Sequence, residues 1–180
     1  AIVEAALRKW PQVPHCYGWL GLDARGDWYL RDAAAQAAGP FPQAKGSRIE
    51  HDRLREFIQR NYAADARGAW YFQNGPQRVF VELEAAPWVF RLDAGVGLGG
   101  QRWRVSARDG REALCRQCWL DEQGRLFIDC DIGFGLLHSL DTGIAAQAVE
   151  AGDWQPTEMR FADMPERFGY VLRPSCPPQV

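Results

Sequence analysis

The feature that most constrains the fold is a short phrase that the chain repeats. Asp23-Ala24-Arg25-Gly26-Asp27-Trp28-Tyr29-Leu30 returns as Asp65-Ala66-Arg67-Gly68-Ala69-Trp70-Tyr71-Phe72. Weaker versions stand at Asp121-Glu122-Gln123-Gly124-Arg125-Leu126-Phe127-Ile128 and around Ala107-Arg108-Asp109-Gly110. In each, a polar step ending in Gly precedes an aromatic or aliphatic run, as in a tight turn whose Gly takes a positive φ before a strand. A chain punctuated in this way must be built from hairpins. Turn chemistry accounts for the residues without invoking a ligand.

The segments between these marks read accordingly. Tyr17 to Leu22 predicts a strand and residues 17–31 a hairpin, followed by a surface loop from Ala33 to Gly46. Ser47-Arg48-Ile49-Glu50 fits a capping box, predicting a helix that carries Leu54, Phe57, Ile58 and Tyr62 on one face. Residues 70–83 form the clearest hairpin, with Asn74-Gly75 at the turn, and residues 88–92 a further strand. Strands are then expected over 102–107, 113–120 and 125–130, a helix over 142–150 closed by Gly152, and a last strand over 169–172. Val3, Leu7 and Trp10 suggest a short docking helix that stops at Pro11. The summary is an α+β fold of two strand-rich halves related by a weak internal repeat, each half made of antiparallel hairpins packed with a helix. The halves are expected at residues 1–94 and 101–180, joined by the glycine-rich connection 95–100, as two lobes or as one compact domain.

Composition narrows the function classes. Eight Trp, nine Phe and five Tyr supply a core for a chain long enough to bury about 70% of its surface. A net charge of −2 is unlike the strongly basic face of a nucleic-acid binder. No apolar run reaches membrane-spanning length, and the opening Ala1-Ile2-Val3-Glu4-Ala5 lacks the pattern of a signal peptide, so a cytoplasmic protein without membrane or nucleic-acid partners is expected. Five cysteines, an odd number, fit a reducing compartment better than a disulfide framework.

Tyr17-Gly18-Trp19-Leu20-Gly21-Leu22-Asp23 with Gly26 and Trp28, then Phe72-Gln73-Asn74-Gly75-Pro76-Gln77-Arg78-Val79 and Glu84-Ala85-Ala86-Pro87-Trp88-Val89, resemble uncharacterised bacterial families, mainly proteobacterial, known only as domains of unknown function. The resemblance covers residues 17–92 well and the remainder loosely. The spacing is also similar to a related family of small α+β proteins with a repeated structural motif, which implies the fold and a sensing or signal-transduction role but no catalytic residues.

Several groups of residues have the makings of a site. Cys115 and Cys118 are spaced to grip a zinc ion, with Cys130 and His138 as further ligands, but a strand there would send Cys115 and Cys118 to opposite faces. His138 and Asp141 stand near a helix start, as base and carboxylate or as an ordinary cap. Arg102 and Arg104 would share one face of a strand and offer paired guanidinium groups to an anion. Gln73, Asn74, Gln77 and Arg78 would form a polar surface for a peptide or protein beside exposed members of Trp19, Trp28, Trp70 and Trp88. The glycines of 95–100 match no nucleotide-binding signature. The expectation is a non-enzymatic binding or regulatory module, a monomer or weak homodimer without a cofactor, whose partner is a protein or a small anionic ligand. The alternative is a small enzyme or metal-binding protein using His138, Asp141, Cys115, Cys118 and Cys130.

Overall fold

In a computed structural model of the chain, which describes residues 5, 8, 9 and 13–177, the repeated phrase closes the same turn each time. The Asp23, Asp65 and Asp121 amides donate to the carbonyls of Asp27, Ala69 and Arg125, four residues on. Each carboxylate accepts in return from the amide of that same residue, at 2.9, 2.9 and 2.8 Å. Gly26, Gly68 and Gly124 take φ of 78, 79 and 75°, which a side chain would resist. Residues 107–111 close the same backbone ring with Ala107 in first place, and Asp109 accepts from the Arg111 amide instead.

Two sheets grow from these turns. The first contains β1 (Cys16–Leu22), β2 (Trp28–Leu30), β3 (Ser47–Arg48), β4 (Tyr62–Ala64), β5 (Trp70–Asn74) and β6 (Gln77–Leu83), in the order β3-β2-β1-β6-β5-β4. The second contains β7 (Trp88–Ala94), β8 (Trp103–Ala107), β9 (Glu112–Ala113), β10 (Cys115–Leu120), β11 (Leu126–Cys130) and β12 (Gly133–Leu137). Its order is β10-β11-β12-β7-β8-β9, with β13 (Thr157–Glu158) added beside β10. Both sheets follow one plan: two antiparallel three-stranded meanders meet at a central parallel pair, β1 with β6 and β7 with β12. The repeat therefore extends past the turns to the strand order. In each second meander an Asp-anchored turn is followed by a two-residue connection, Gly75-Pro76 in one and Asp131-Ile132 in the other. The Asn74 expected inside the hairpin turn is instead paired with Gln77.

The chain divides into two compact units, Ala1–Asp23 with Asp27–Glu84 and Gly169–Val180, and Ala24–Gly26 with Ala85–Phe168. The glycine-rich segment 95–100 lies inside the second unit, joining the antiparallel neighbours β7 and β8. The expected docking helix of Val3, Leu7 and Trp10 lies outside the described residues.

Several local expectations give way to stronger interactions. Ser47 and Arg48 do not cap a helix, because their backbone pairs with Leu30 and Tyr29 as β3 and Ile49 donates to the Trp28 carbonyl. The helix α2 (Asp52–Arg60) starts later, from His51, and buries Ile58 while Leu54 and Phe57 stay partly exposed. The surface loop contains a helix, α1 (Ala33–Ala38), whose cap Asp32 accepts from the Ala35 amide. Residues 169–172 form no strand, although Leu172 accepts from Leu83 and Val171 donates to Gly68. β12 was not expected, because its glycines conceal it. A Cβ at Gly135 would stand 2.4 Å from the Phe90 ring, so that ring lies where a side chain would be.

Packing is distinct in each unit. In the first, Arg31 is 2% exposed and lies among polar partners. Its guanidinium donates to the carbonyls of Ala44, Gly18 and Gly39 at 2.9, 3.1 and 2.6 Å and to Glu82 at 3.3 Å. These bonds fasten the 39–44 loop to the sheet, with Phe41 buried over Gly21. In the second unit, Phe90, Leu92, Val105, Ile128 and Leu137 pack with Ala145 and Ala148 of α3 (Thr142–Glu150), which ends at Gly152 as expected. Phe134 stacks between Phe127 and Phe168 of α4 (Met164–Phe168), at 5.6 and 3.8 Å. Among the described residues, no helix is long and apolar enough to cross a membrane.

Candidate functional site

The hairpin residues are engaged within the hairpin and with the residues that precede β1. Gln73 donates to the Gly75 carbonyl, Gln77 to the Pro14 carbonyl, and the Arg78 amide to His15 Nδ1. The Arg78 guanidinium lies 4.4 Å from the Tyr71 ring centre, and Asn74 is exposed at the strand end. Of the four tryptophans expected beside this surface, Trp28 is buried, Trp70 and Trp88 are half-buried, and Trp19 is 47% exposed. Arg102 and Arg104 do share an exposed face, but Arg102 pairs with Asp153 at 3.3 Å and Arg104 stands opposite Asp93. Opposite charges therefore flank the anion platform expected there.

The cysteines are arranged differently from the strand expectation. β10 has one residue more than β11 between the pairs Cys115 with Cys130 and Gln117 with Asp129. This bulge cancels the alternation, so Cys115, Cys118 and Cys130 fall on one face of the sheet rather than on two. Burial pushes the Cys115 thiol up to about 12 and raises those of Cys118 and Cys130 as well. Among the described residues, no group of three or more His, Cys, Asp or Glu side chains is placed to hold a metal ion. His138 lies instead at the end of β12, where its amide donates to the Phe90 carbonyl.

His138 and Asp141 come together with a residue that the sequence did not single out. Arg91, on β7, donates to both Asp141 oxygens at 2.6 and 2.9 Å, and the Leu92 amide donates to the same carboxylate at 3.0 Å. Asp141 is 4% exposed, so this bidentate pair holds the start of α3 against the strand. The Arg91 guanidinium keeps the Asp141 carboxyl below the usual carboxylate range. Its only sequence signal is a charge within the apolar run Trp88-Val89-Phe90-Arg91-Leu92.

His138, also 4% exposed, uses Nδ1 to accept from the Leu140 amide at 3.1 Å. Its proton is thereby assigned to Nε2, the donor tautomer. Burial, then the charge of Arg91, depress the imidazole pKa against the opposing pull of Asp141, and Arg108 and Arg25 depress it further. Arg108 also donates to the Arg25 carbonyl at 3.0 Å. The result is a neutral imidazole with its acceptor nitrogen occupied, in the field of three guanidinium groups and one carboxylate. That geometry suits holding negative charge and does not suit abstracting a proton, which needs a free lone pair.

The depressed imidazole has a consequence for stability. Below the ordinary histidine value of 6.5 the unfolded chain takes up a proton before His138 does, so the stability that this residue contributes is present above that value and declines as pH falls toward its folded pKa. Melting curves of the wild type are expected to lose stability from pH 6.5 to 5. The same curves for His138→Asn, in which the amide oxygen can replace Nδ1 as the cap, are expected to be flatter. Parallel curves would show that His138 contributes nothing to this decline.

Comparison with solved structures supports the fold. A DUF1285 family protein from Shewanella baltica OS155 matches with a TM-score of 0.51 at 14% identity, over 76% of this chain and 97% of that one. A DUF1285 family protein from Silicibacter pomeroyi DSS-3 matches with a TM-score of 0.50 at 12% identity, over 72% of this chain and 68% of that one. No curated protein matches the sequence. A family model described as "Protein of unknown function (DUF2946)" matches residues 1–175.

Proposed function

This chain belongs to the bacterial family of unknown function described as DUF2946, and on that premise we propose that it is a non-enzymatic, regulatory binding module that takes a small anionic ligand beside His138. The observation that carries this reading is the engagement of His138 Nδ1 by the Leu140 amide, which leaves a neutral donor near Arg108 and Arg25, with Arg91 paired to Asp141. A phosphate or carboxylate would accept from Nε2 and gain from the surrounding positive charge. Arg91 and Asp141 offset one another as an ion pair, so the positive field that such a ligand meets is that of Arg108 and Arg25.

Titration calorimetry of the full chain with inorganic phosphate tests the reading. Saturable binding is expected, weakened by about tenfold in His138→Asn, the size expected for one lost hydrogen bond to a charged group. Asparagine keeps an acceptor for the Leu140 amide, and the melting curves of the variant check its fold, so a changed affinity in the folded variant reports on the lost Nε2 donor. No saturable heat with the wild type, or equal affinity in the two proteins, would overturn it.

A further inference from the structure

The cysteine face of the second sheet carries a separate inference. Cys115 and Cys130 are direct partners on antiparallel strands. Directly opposed residues alternate between pairs bonded to each other and pairs whose amides and carbonyls point away, and the second kind brings the side chains closer. Two observations place Cys115 in the second kind. Its amide and carbonyl both turn to the Gln101 side chain, with Cys115 donating to Oε1 at 3.3 Å and Nε2 donating to the Cys115 carbonyl at 2.7 Å. The adjacent position holds the ladder bond, since the Asp131 amide donates to the Leu114 carbonyl at 3.2 Å.

From this register we infer that Cys115 and Cys130 form an oxidative modification site, closing to a cross-strand disulfide when the chain meets a peroxide. The separation of Cα atoms in such a pair falls within the span that a disulfide bridges. Cys118 competes poorly because it stands opposite Ile128 and is only diagonal to Cys130. Cys115 is half-buried and Cys130 is buried, so the peroxide reaches Cys115 first. The Cys115 sulfur attacks the peroxide, the O–O bond breaks, and a sulfenic acid and water form. The Cys130 sulfur then attacks that sulfenic sulfur, the S–O bond breaks, a second water leaves, and the S–S bond forms. Two thiols are oxidised by two electrons and one peroxide is reduced. Both thiols are held protonated by burial, which makes the step slow at neutral pH and faster as pH rises.

The test treats the reduced full chain with hydrogen peroxide under native conditions, alkylates the remaining thiols, and maps the peptides by mass spectrometry without reduction. The expected product is an intramolecular Cys115–Cys130 peptide pair lighter by two hydrogens, formed faster at higher pH. It should be absent in Cys115→Ser and Cys130→Ser and retained in Cys118→Ala and Cys176→Ser. The oxidised wild type should melt about 5 °C or more above the reduced form, because the crosslink restricts the unfolded chain. The inference fails if Cys115 links instead to Cys118 or to the exposed Cys176 of a second chain, if it proceeds to a sulfinic acid without linking, or if both thiols remain alkylatable. The wild-type map alone decides between these outcomes if a serine variant does not fold.

Discussion

Replacing Arg31 with methionine is expected to lower the unfolding free energy by about 3–5 kcal/mol, the range for removing one partner of a buried ion pair. The side chain is 3% exposed, and Glu82 is left 15% exposed without its partner. A further loss comes from three carbonyls that Arg31 holds, one on β1 and two in the 39–44 loop. The carbonyls of Gly18, Gly39 and Ala44 lose their bonds to Arg31, at about 1–3 kcal/mol for each that stays buried and unpaired. Urea denaturation of the single variant and of Arg31→Met combined with Glu82→Gln separates the two contributions. If the carbonyls dominate, the second substitution restores little. Recovery of most of the loss would show that the ion pair, and not the loop, is what Arg31 supports.

The repeated turn provides its own control for the second large effect. Gly68 and Gly124 occupy the same place in equivalent turns with nearly the same φ, so alanine carries a similar backbone strain of about 1–2 kcal/mol at either. Their surroundings differ. A Cβ at Gly124 meets nothing within 4 Å, whereas one at Gly68 would stand 2.1 Å from the Gly169 carbonyl oxygen. Relief would require moving the backbone of the 169–172 segment, which bonds to Gly68 and to Leu83. Gly68→Ala is expected to cost about 3 kcal/mol or more and Gly124→Ala about half of that or less, as measured by chemical denaturation. Equal losses would mean that the tail segment yields freely.

What was legible in the sequence was local. Each Asp-anchored turn is written in five consecutive residues, so the hairpins followed from the residues alone. The parallel pairing of β1 with β6 and of β7 with β12 was not legible, because it joins segments with no shared local signal. β12 was hidden because Gly133 and Gly135 serve the rings of Trp88 and Phe90 on a neighbouring strand. The capping box at Ser47 failed because a ladder bond outcompeted a cap. At the candidate site, the proximity of His138 and Asp141 could be read, but not their division of labour. Arg91 takes the carboxylate and the Leu140 amide takes the imidazole, and neither partner is visible without the fold. The cysteine faces were misassigned for a related reason, since one bulged residue reverses every side chain beyond it.

The shared plan of the two sheets also sets an order of events in time. An Asp-anchored turn brings its strands together across a few residues, a search that a chain completes in microseconds. The central parallel pair of each sheet must wait for its ends to meet across all the intervening meanders, at a larger cost in loop closure. Each unit should therefore assemble from two early meanders whose docking along β1 and β6, or β7 and β12, is the slow step. Until that docking, the edges of β1, β6, β7 and β12 stand open together, and that interval is when a newly made chain is most prone to pair with another.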